Sequence, residues 1–293
     1  MKQPVGQPVD GLFRFRIDLA YDGTDYSGWA KQAGQPSVQA ELLKALTTIF
    51  GKSKTDFEMR VAGRTDAGVH AQQQVVHIDL SAVQLKRLGR GPELAQRINI
   101  LLPPAVRIYS MQLAAPGFDA RFSATSRRYR YRIADRAASQ SPLEARYVLW
   151  VHYALDDAKM HQAAQQLVGL HDFVAYCRPR PGSTSIREVR EITVTRSKQD
   201  AGIIEIELEA DAFCHNMVRA ITGALIKVGR GRVEPERLGV LLNASKRAAE
   251  FKVVQPHGLT LINVNYPVES DFAAQAEKTR KMRTLDEKEG LTE

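Results

Sequence analysis

Cysteine and long apolar runs are what this chain has little of, and each shortage removes a class of protein. Two cysteines in 293 residues, Cys177 and Cys214, are too few for a disulfide framework and are not spaced as zinc ligands, so both are expected as buried thiols. No stretch approaches the roughly 18 continuous apolar residues of a membrane helix, and the N-terminus lacks the basic-then-apolar order of a secretory signal. A soluble cytoplasmic protein with no membrane partner is expected. His70 and His77 lie seven apart with no further ligand spacing nearby, so no metal is expected. Gly229-Arg230-Gly231-Arg232 lacks the lysine and the spacing of a phosphate-cradling loop and reads as a helix stop with a basic turn.

Positive charge, by contrast, is abundant. The net charge is +8, and the last stretch, 268–293, carries five basic and seven acidic residues, leaving +10 on residues 1–267. Such a surplus suits a polyanionic partner, because neutralising phosphates releases counterions. Basic proteins without such partners exist, so charge alone leaves nucleic acid as one of two readings. With 44% hydrophobic residues the chain can bury one large core or two smaller ones.

Strands and helices interleave without a strict βαβ rhythm. Phe13 to Tyr21 alternates as a strand, and Ser37 can cap a helix on which Val38, Leu42, Ala45, Leu46 and Ile49 share a face. Extended segments are expected near Met59 to Ala62, Gln74 to Leu80 and Val106 to Leu113, with a helix from Pro92 to Ile100. Further on, strands are expected at 127–134, 187–196, 203–210 and 259–266, and helices at 156–168, 215–228 and from Pro235. The 203–210 strand turns Ile204, Ile206 and Leu208 inward and Glu205, Glu207 and Glu209 toward water. The expected fold class is α+β, with mostly antiparallel sheets in two similar halves and a central basic cleft.

The segment Gly63-Arg64-Thr65-Asp66-Ala67-Gly68-Val69-His70 places one carboxylate between two glycines and beside an arginine, on a loop between two strands. Loops on rigid scaffolds are where catalytic groups are commonly held. Spacing alone leaves a second reading open, a Thr-Asp turn whose side chain caps its own backbone. Tyr129 sits in the densest basic stretch, among Arg121, Arg127, Arg128, Arg130 and Arg132. It reads either as part of an RNA-facing strand or as a core tyrosine on an edge strand with solvated arginines. Arg219 falls roughly opposite the Met217, Ile221 and Val228 stripe of its helix, a position that ordinarily faces solvent.

Taken together, the octapeptide, Gln74-Val75-Val76-His77, Tyr21-Asp22-Gly23-Thr24-Asp25-Tyr26-Ser27-Gly28-Trp29, the run from Ala120 to Tyr131, His171-Asp172-Phe173, the run from Phe213 to Arg219, Gly229 and Gly258-Leu259 resemble, in this order, the TruA family of tRNA pseudouridine synthases. The likeness runs from about residue 12 to about residue 267. It implies the pseudouridine synthase fold in two domains, 12–115 carrying the Asp loop and 116–267, flanked by an N-terminal extension, 1–11, and a charged tail, 268–293. That tail is expected to be mobile or a loose helix.

The implied activity is isomerisation of uridine to pseudouridine at positions 38, 39 and 40 of the tRNA anticodon stem-loop, by a homodimer and without a cofactor. Asp66 matches the essential carboxylate, Arg219 its basic partner and Tyr129 the active-site tyrosine. Arg64 matches the residue that occupies the vacated base stack, and Leu259 the apolar residue at the pocket floor, although a plain core leucine is equally consistent. Arg127, Arg128 and Arg130 are expected on the RNA. Ala30 stands where glutamine is frequent, and Ala71-Gln72-Gln73-Gln74 lacks a glycine often found before that last glutamine; neither touches the proposed chemical groups.

Overall fold

The computed structural model describes residues 11–53, 55–86, 94–179, 182, 184–198 and 202–281, which fall into two compact units. The first comprises the chain up to Thr125 together with Leu261–Lys281, and the second comprises Ser126–Thr260.

In the first unit, β1 (Leu12–Tyr21) pairs antiparallel with β3 (His70–Ser81) on one side and β4 (Val106–Leu113) on the other, and β2 (Arg60–Val61) pairs antiparallel with β3. α1 (Val38–Phe50) begins where Ser37 Oγ accepts from Ala40 N, and its stripe of Val38, Leu42, Ala45 and Leu46 is buried, together with Leu43 and Phe50. α2 (Ala82–Lys86) follows β3, and α3 (Leu94–Leu101) precedes β4. Pro92, expected to open the latter helix, lies outside the described residues.

The alternation of Val76, Ile78 and Leu80 holds on β3, yet Val75 and His77 are buried too. The second face of β3 is covered within the same unit. Phe118 stacks edge-on to His77, Tyr266 and Phe272 pack on Phe118, and Ala120 N donates to His77 Nδ1. Phe272 opens α7 (Phe272–Arg280), so this part of the tail is a docked helix with Phe272 and Ala276 buried. Its charged composition hides that short apolar side from a reading by composition.

The second unit is built on β5 (Ser126–Ala134), β8 (Ile186–Arg196) and β9 (Ile204–Ala210), with β9 antiparallel to both of the others. Two short strands extend it: β6 (Leu149–Trp150) runs parallel to β5, and β7 (Gly169–Asp172) antiparallel to β8. One face stacks Tyr129 opposite Leu208, Tyr131 opposite Ile206 and Ile133 opposite Ile204, all buried. α4 (Asp157–Gln165) is capped by Asp156, whose Oδ1 accepts from Lys159 N at 2.9 Å, and Gln165 Nε2 ties it to β8 through Ile192 O at 2.8 Å.

α5 (Met217–Gly229) has eleven of its thirteen residues buried, so it is a core helix and not the half-wet one its stripe suggested. The segment after α6 (Arg237–Val240) crosses it, and a Cβ on Gly223 would lie 2.0 Å from Lys252 O, which only glycine avoids. β10 (Leu259–Asn265) then leads into the first unit.

Cys177 and Cys214 are joined in a disulfide with their Cα atoms 5.7 Å apart, which corrects the expectation of two separate thiols. A short 3-10 turn over Val174–Tyr176 and the loop before α5 meet there, and Arg178 N donates to His215 O at 2.9 Å. Two cysteines 37 residues apart carry no pairing signal in the sequence itself.

Candidate active site

The loop bearing Asp66 leaves β2 at Val61 and re-enters the sheet at His70. Arg64 is exposed, Asp66 half-buried, and Thr65 between them is buried. The alternating exposure follows from what the loop rests on. Gly28, at φ +98°, comes so close that a Cβ there would sit 2.7 Å from Thr65 O and 3.1 Å from Asp66 C. Trp29 N donates to Thr65 O at 3.1 Å, Gly68 N to Tyr26 O at 3.2 Å, and Val69 N to Asp66 O at 3.2 Å. The run from Tyr21 to Trp29 is therefore a backbone bed on which the carboxylate-bearing loop lies.

Side chains fasten the loop from below. Tyr21 Oη lies 2.7 Å from Thr65 Oγ1, and Gln74 Nε2 donates to both Tyr21 Oη and Gly63 O. Burial pushes the Tyr21 phenol up to about 12, against a smaller opposite effect of its hydrogen bonds with Thr65 and Gln74, so it remains protonated at neutral pH. His70, also buried, accepts from Gly23 N at Nδ1 and has Asp22 Oδ1 3.1 Å away. Gly23 fits because a Cβ there would overlap Val69 O.

In the second unit, Tyr129 is buried at the strand's N-terminal part and meets the Phe213 ring edge-on, with centroids 5.1 Å apart and planes at 88°. Phe213 belongs to the loop that turns into α5 through Asn216, held at φ 66°. Arg219, in the first turn of that helix, donates from Nε to Val254 O at 2.8 Å. Its charge reaches Tyr131, whose phenol burial pushes well above the ordinary range and whose hydroxyl donates to Gln255 O at 2.7 Å. Gly258 lies against the Tyr131 ring, and Leu259 follows it, buried at the start of β10. Thus Arg219, Tyr131 and the 254–259 segment gather in one place, and Tyr129 with Phe213 in another, joined by the loop before α5.

The arginines of β5 meet protein acceptors. Arg127 is buried and donates from Nη1 to Asp211 O at 2.7 Å. Arg128 meets Glu209, Glu191 and Glu207, Arg130 meets Glu207 and Glu205, and Arg132 meets Glu144 and Glu205. The register sets these pairs, with Arg128 opposite Glu209, Arg130 opposite Glu207 and Arg132 opposite Glu205. What reads in the sequence as a basic strand and a separate acidic-edged strand is an ion-paired ladder on one sheet face.

Sequence reasoning assigned no role to Thr65, to Tyr21 and Gln74 below it, or to Phe213 against Tyr129. Gln74, which has no exposure, had one signal in the sequence: it opens the Gln74-Val75-Val76-His77 segment that carries part of the family resemblance.

Comparison with known proteins identifies the family. The family model for tRNA pseudouridine synthase matches residues 163–267. A tRNA pseudouridine synthase A of Streptomyces avermitilis is 46% identical over 276 residues, covering 94% of this chain and 95% of that one. The protein of the same name from Leifsonia xyli is 45% identical, covering 94% of this chain and all of its own length, and that from Mycobacterium leprae is 42% identical, covering 92% and 96%. With identity of this level along nearly the whole length of both partners, the chain belongs to the tRNA pseudouridine synthase A family.

Proposed function

We propose that this protein isomerises uridine to pseudouridine in the anticodon stem-loop of tRNA, at positions 38, 39 and 40, with Asp66 as the essential carboxylate. The reaction breaks the bond between the ribose and the base nitrogen, turns the uracil, and rejoins it through carbon. The net change moves one proton from ring carbon to ring nitrogen and needs no electron donor, group donor or cofactor. The protein has to supply an ionised carboxylate, a cation that keeps it so, and a pocket for an extruded base.

The observation that carries this reading is the Asp66 loop, held by backbone and side-chain contacts at Gly63, Thr65 and Gly68 on either side of the carboxylate. Arg219, whose Nε donates to Val254 O at 2.8 Å, is the proposed cation, since a guanidinium stays charged at any working pH. Tyr129 is the proposed platform for the target ring, Leu259 the floor, and exposed Arg64 the residue that takes the place of the extruded base. Arg127, Arg128 and Arg130 are left out of the RNA contacts, because their donors meet protein acceptors. The enzyme is further proposed to act in the cytoplasm as a homodimer.

The test is incubation with an unmodified tRNA transcript, followed by mapping of pseudouridine. The parent protein should place it in the anticodon stem-loop, and Asp66→Asn should lower the rate at least ~10²-fold while retaining the fold. Full activity in Asp66→Asn would overturn the assignment, and pseudouridine elsewhere in the tRNA would overturn the target.

A further inference from the structure

The carboxylate is only as useful as its aim, and the contacts that set its aim are made by its neighbours. Tyr21 ends β1 just past an irregularity in the β1–β3 register, where Leu19 faces Gln74 but Tyr21 faces Ala71. The extra residue on β3 lets Gln74 and Tyr21 converge below the loop, as bulges beside active sites commonly re-aim side chains. Gln74 has no exposure and Tyr21 almost none.

The direction of each hydrogen bond follows from the groups available. The Gln74 amide nitrogen can only donate, so Tyr21 Oη accepts from it at 3.2 Å. The phenol proton is then available to Thr65 Oγ1 at 2.7 Å. The second Gln74 amide proton goes to Gly63 O at 2.9 Å. One glutamine and one tyrosine thereby hold the loop at residues 63 and 65, while Trp29 N holds the same Thr65 through its carbonyl. Such a chain has few alternative arrangements, because a buried donor or acceptor left unpaired is costly.

We propose that Tyr21 and Gln74, acting through Thr65, are positioning residues for the reaction: their buried hydrogen-bond chain fixes the direction in which the adjoining Asp66 carboxylate points. This rests on Asp66 being the reacting group. None of the three residues needs to touch the substrate. A misplacement near 1 Å at a reacting group is enough to cost roughly 10²-fold in rate.

The experiment compares Tyr21→Phe, Thr65→Val, Thr65→Ser and the Tyr21→Phe/Thr65→Val pair on unmodified tRNA, at a temperature where circular dichroism shows each folded. Tyr21→Phe keeps the ring that packs 5.9 Å from Trp29 and removes only the hydroxyl. The expected result is a kcat loss of about 10- to 100-fold in Tyr21→Phe and in Thr65→Val, with KM and tRNA affinity within about 3-fold of the parent. Thr65→Ser, which restores the hydroxyl, should recover most of that loss. The double variant should lose little more than either single one, because both break the same chain.

The proposal is overturned if kcat in Tyr21→Phe stays within about 2-fold of the parent, or if Thr65→Ser is as impaired as Thr65→Val. It is also overturned if the losses fall equally on tRNA affinity, which marks a general loosening of the fold. Asp66→Asn, assayed alongside, separates this from the reading it rests on: an inactive Asp66→Asn with a fully active Tyr21→Phe removes the positioning role alone, and an active Asp66→Asn removes Asp66 itself.

Discussion

Arg128 Nη2 lies 2.7 Å from Glu209 Oε2 and 2.7 Å from Glu191 Oε2, so one guanidinium ties together the three strands β5, β9 and β8. Glu207 approaches the same head group at 3.3 Å. Carboxylates from two strands surround this cation, and Glu209 is held below its usual range against burial by Ser126 and Arg128. Removing the cation leaves them facing one another.

Arg128→Gln is therefore expected to act on stability before it acts on RNA. A cross-strand charge pair is worth about 0.2–1 kcal/mol, and the residual carboxylate repulsion brings the total to about 1 kcal/mol, read as a lower urea midpoint. The affinity for tRNA should change little, and so should its slope against the logarithm of salt concentration. A phosphate contact would instead lower that slope by about one. That outcome would return Arg128 to the RNA interface.

The ladder also shows where one-dimensional reading stops. The alternation of β9, with Glu205, Glu207 and Glu209 on one side, and that of β5, with Arg128, Arg130 and Arg132, were each legible as strands. Which strand faces which is a matter of register between segments some eighty residues apart, and neither strand's pattern contains it. Capped or strongly periodic elements such as α1, α4 and β4 were legible for the opposite reason, since their signals are local. The short elements α2, β6 and β7 carry too few residues for periodicity to register.

At the candidate site the same division holds. That Asp66 sits on a glycine-flanked loop between strands was readable from the octapeptide alone. The support from Tyr21 and Gln74 was not, because it joins residues 44 and 53 positions apart through side chains. Arg219 read as a solvated residue opposite an apolar stripe, but it is half-buried, because the segment through Lys252 and Val254 lies against that part of α5. Gly223 was the available signal, a glycine inside a helix where alanine would be the better helix former.

Gly223 supplies the second prediction. Alanine there gains about 1 kcal/mol of helix propensity. Its Cβ would overlap Lys252 O, a backbone atom that moves only with its segment. That segment also carries Val254, whose carbonyl receives Arg219 Nε and whose N–H donates to Arg219 O. Overpacking should win, for a net loss of about 1–3 kcal/mol in thermal or urea unfolding. Because Val254 moves with Lys252, kcat should fall as well, under conditions where the variant is folded. A Gly223→Ala protein as stable and as active as the parent would show that the crossing segment is loosely held.

His77 makes the stability of the first unit depend on pH. Burial, with the Arg14 charge adding to it, pushes the imidazole down to about 4 from an ordinary 6.5, while Asp119 and Asp79 act in the opposite direction. The unfolded chain takes up this proton near pH 6.5 and the folded chain not until about pH 4. Between those values unfolding is coupled to proton uptake. The contribution is therefore complete above about pH 6.5 and declines as the pH falls, on the order of 1.4 kcal/mol per pH unit while only the unfolded state is protonated. Asp119, which burial raises but which hydrogen bonds from Phe122 N and Arg121 N and the Arg60 charge together hold below its usual range, adds a loss of the same sign at lower pH. Urea midpoints measured from pH 8 to pH 4 should be flat at first and then fall below about pH 6.5. His77→Asn can keep an acceptor for Ala120 N but cannot titrate, so it should be less stable than the parent at pH 8 and lose less on acidification. Parallel curves for the two proteins would show that another group governs the acid limb.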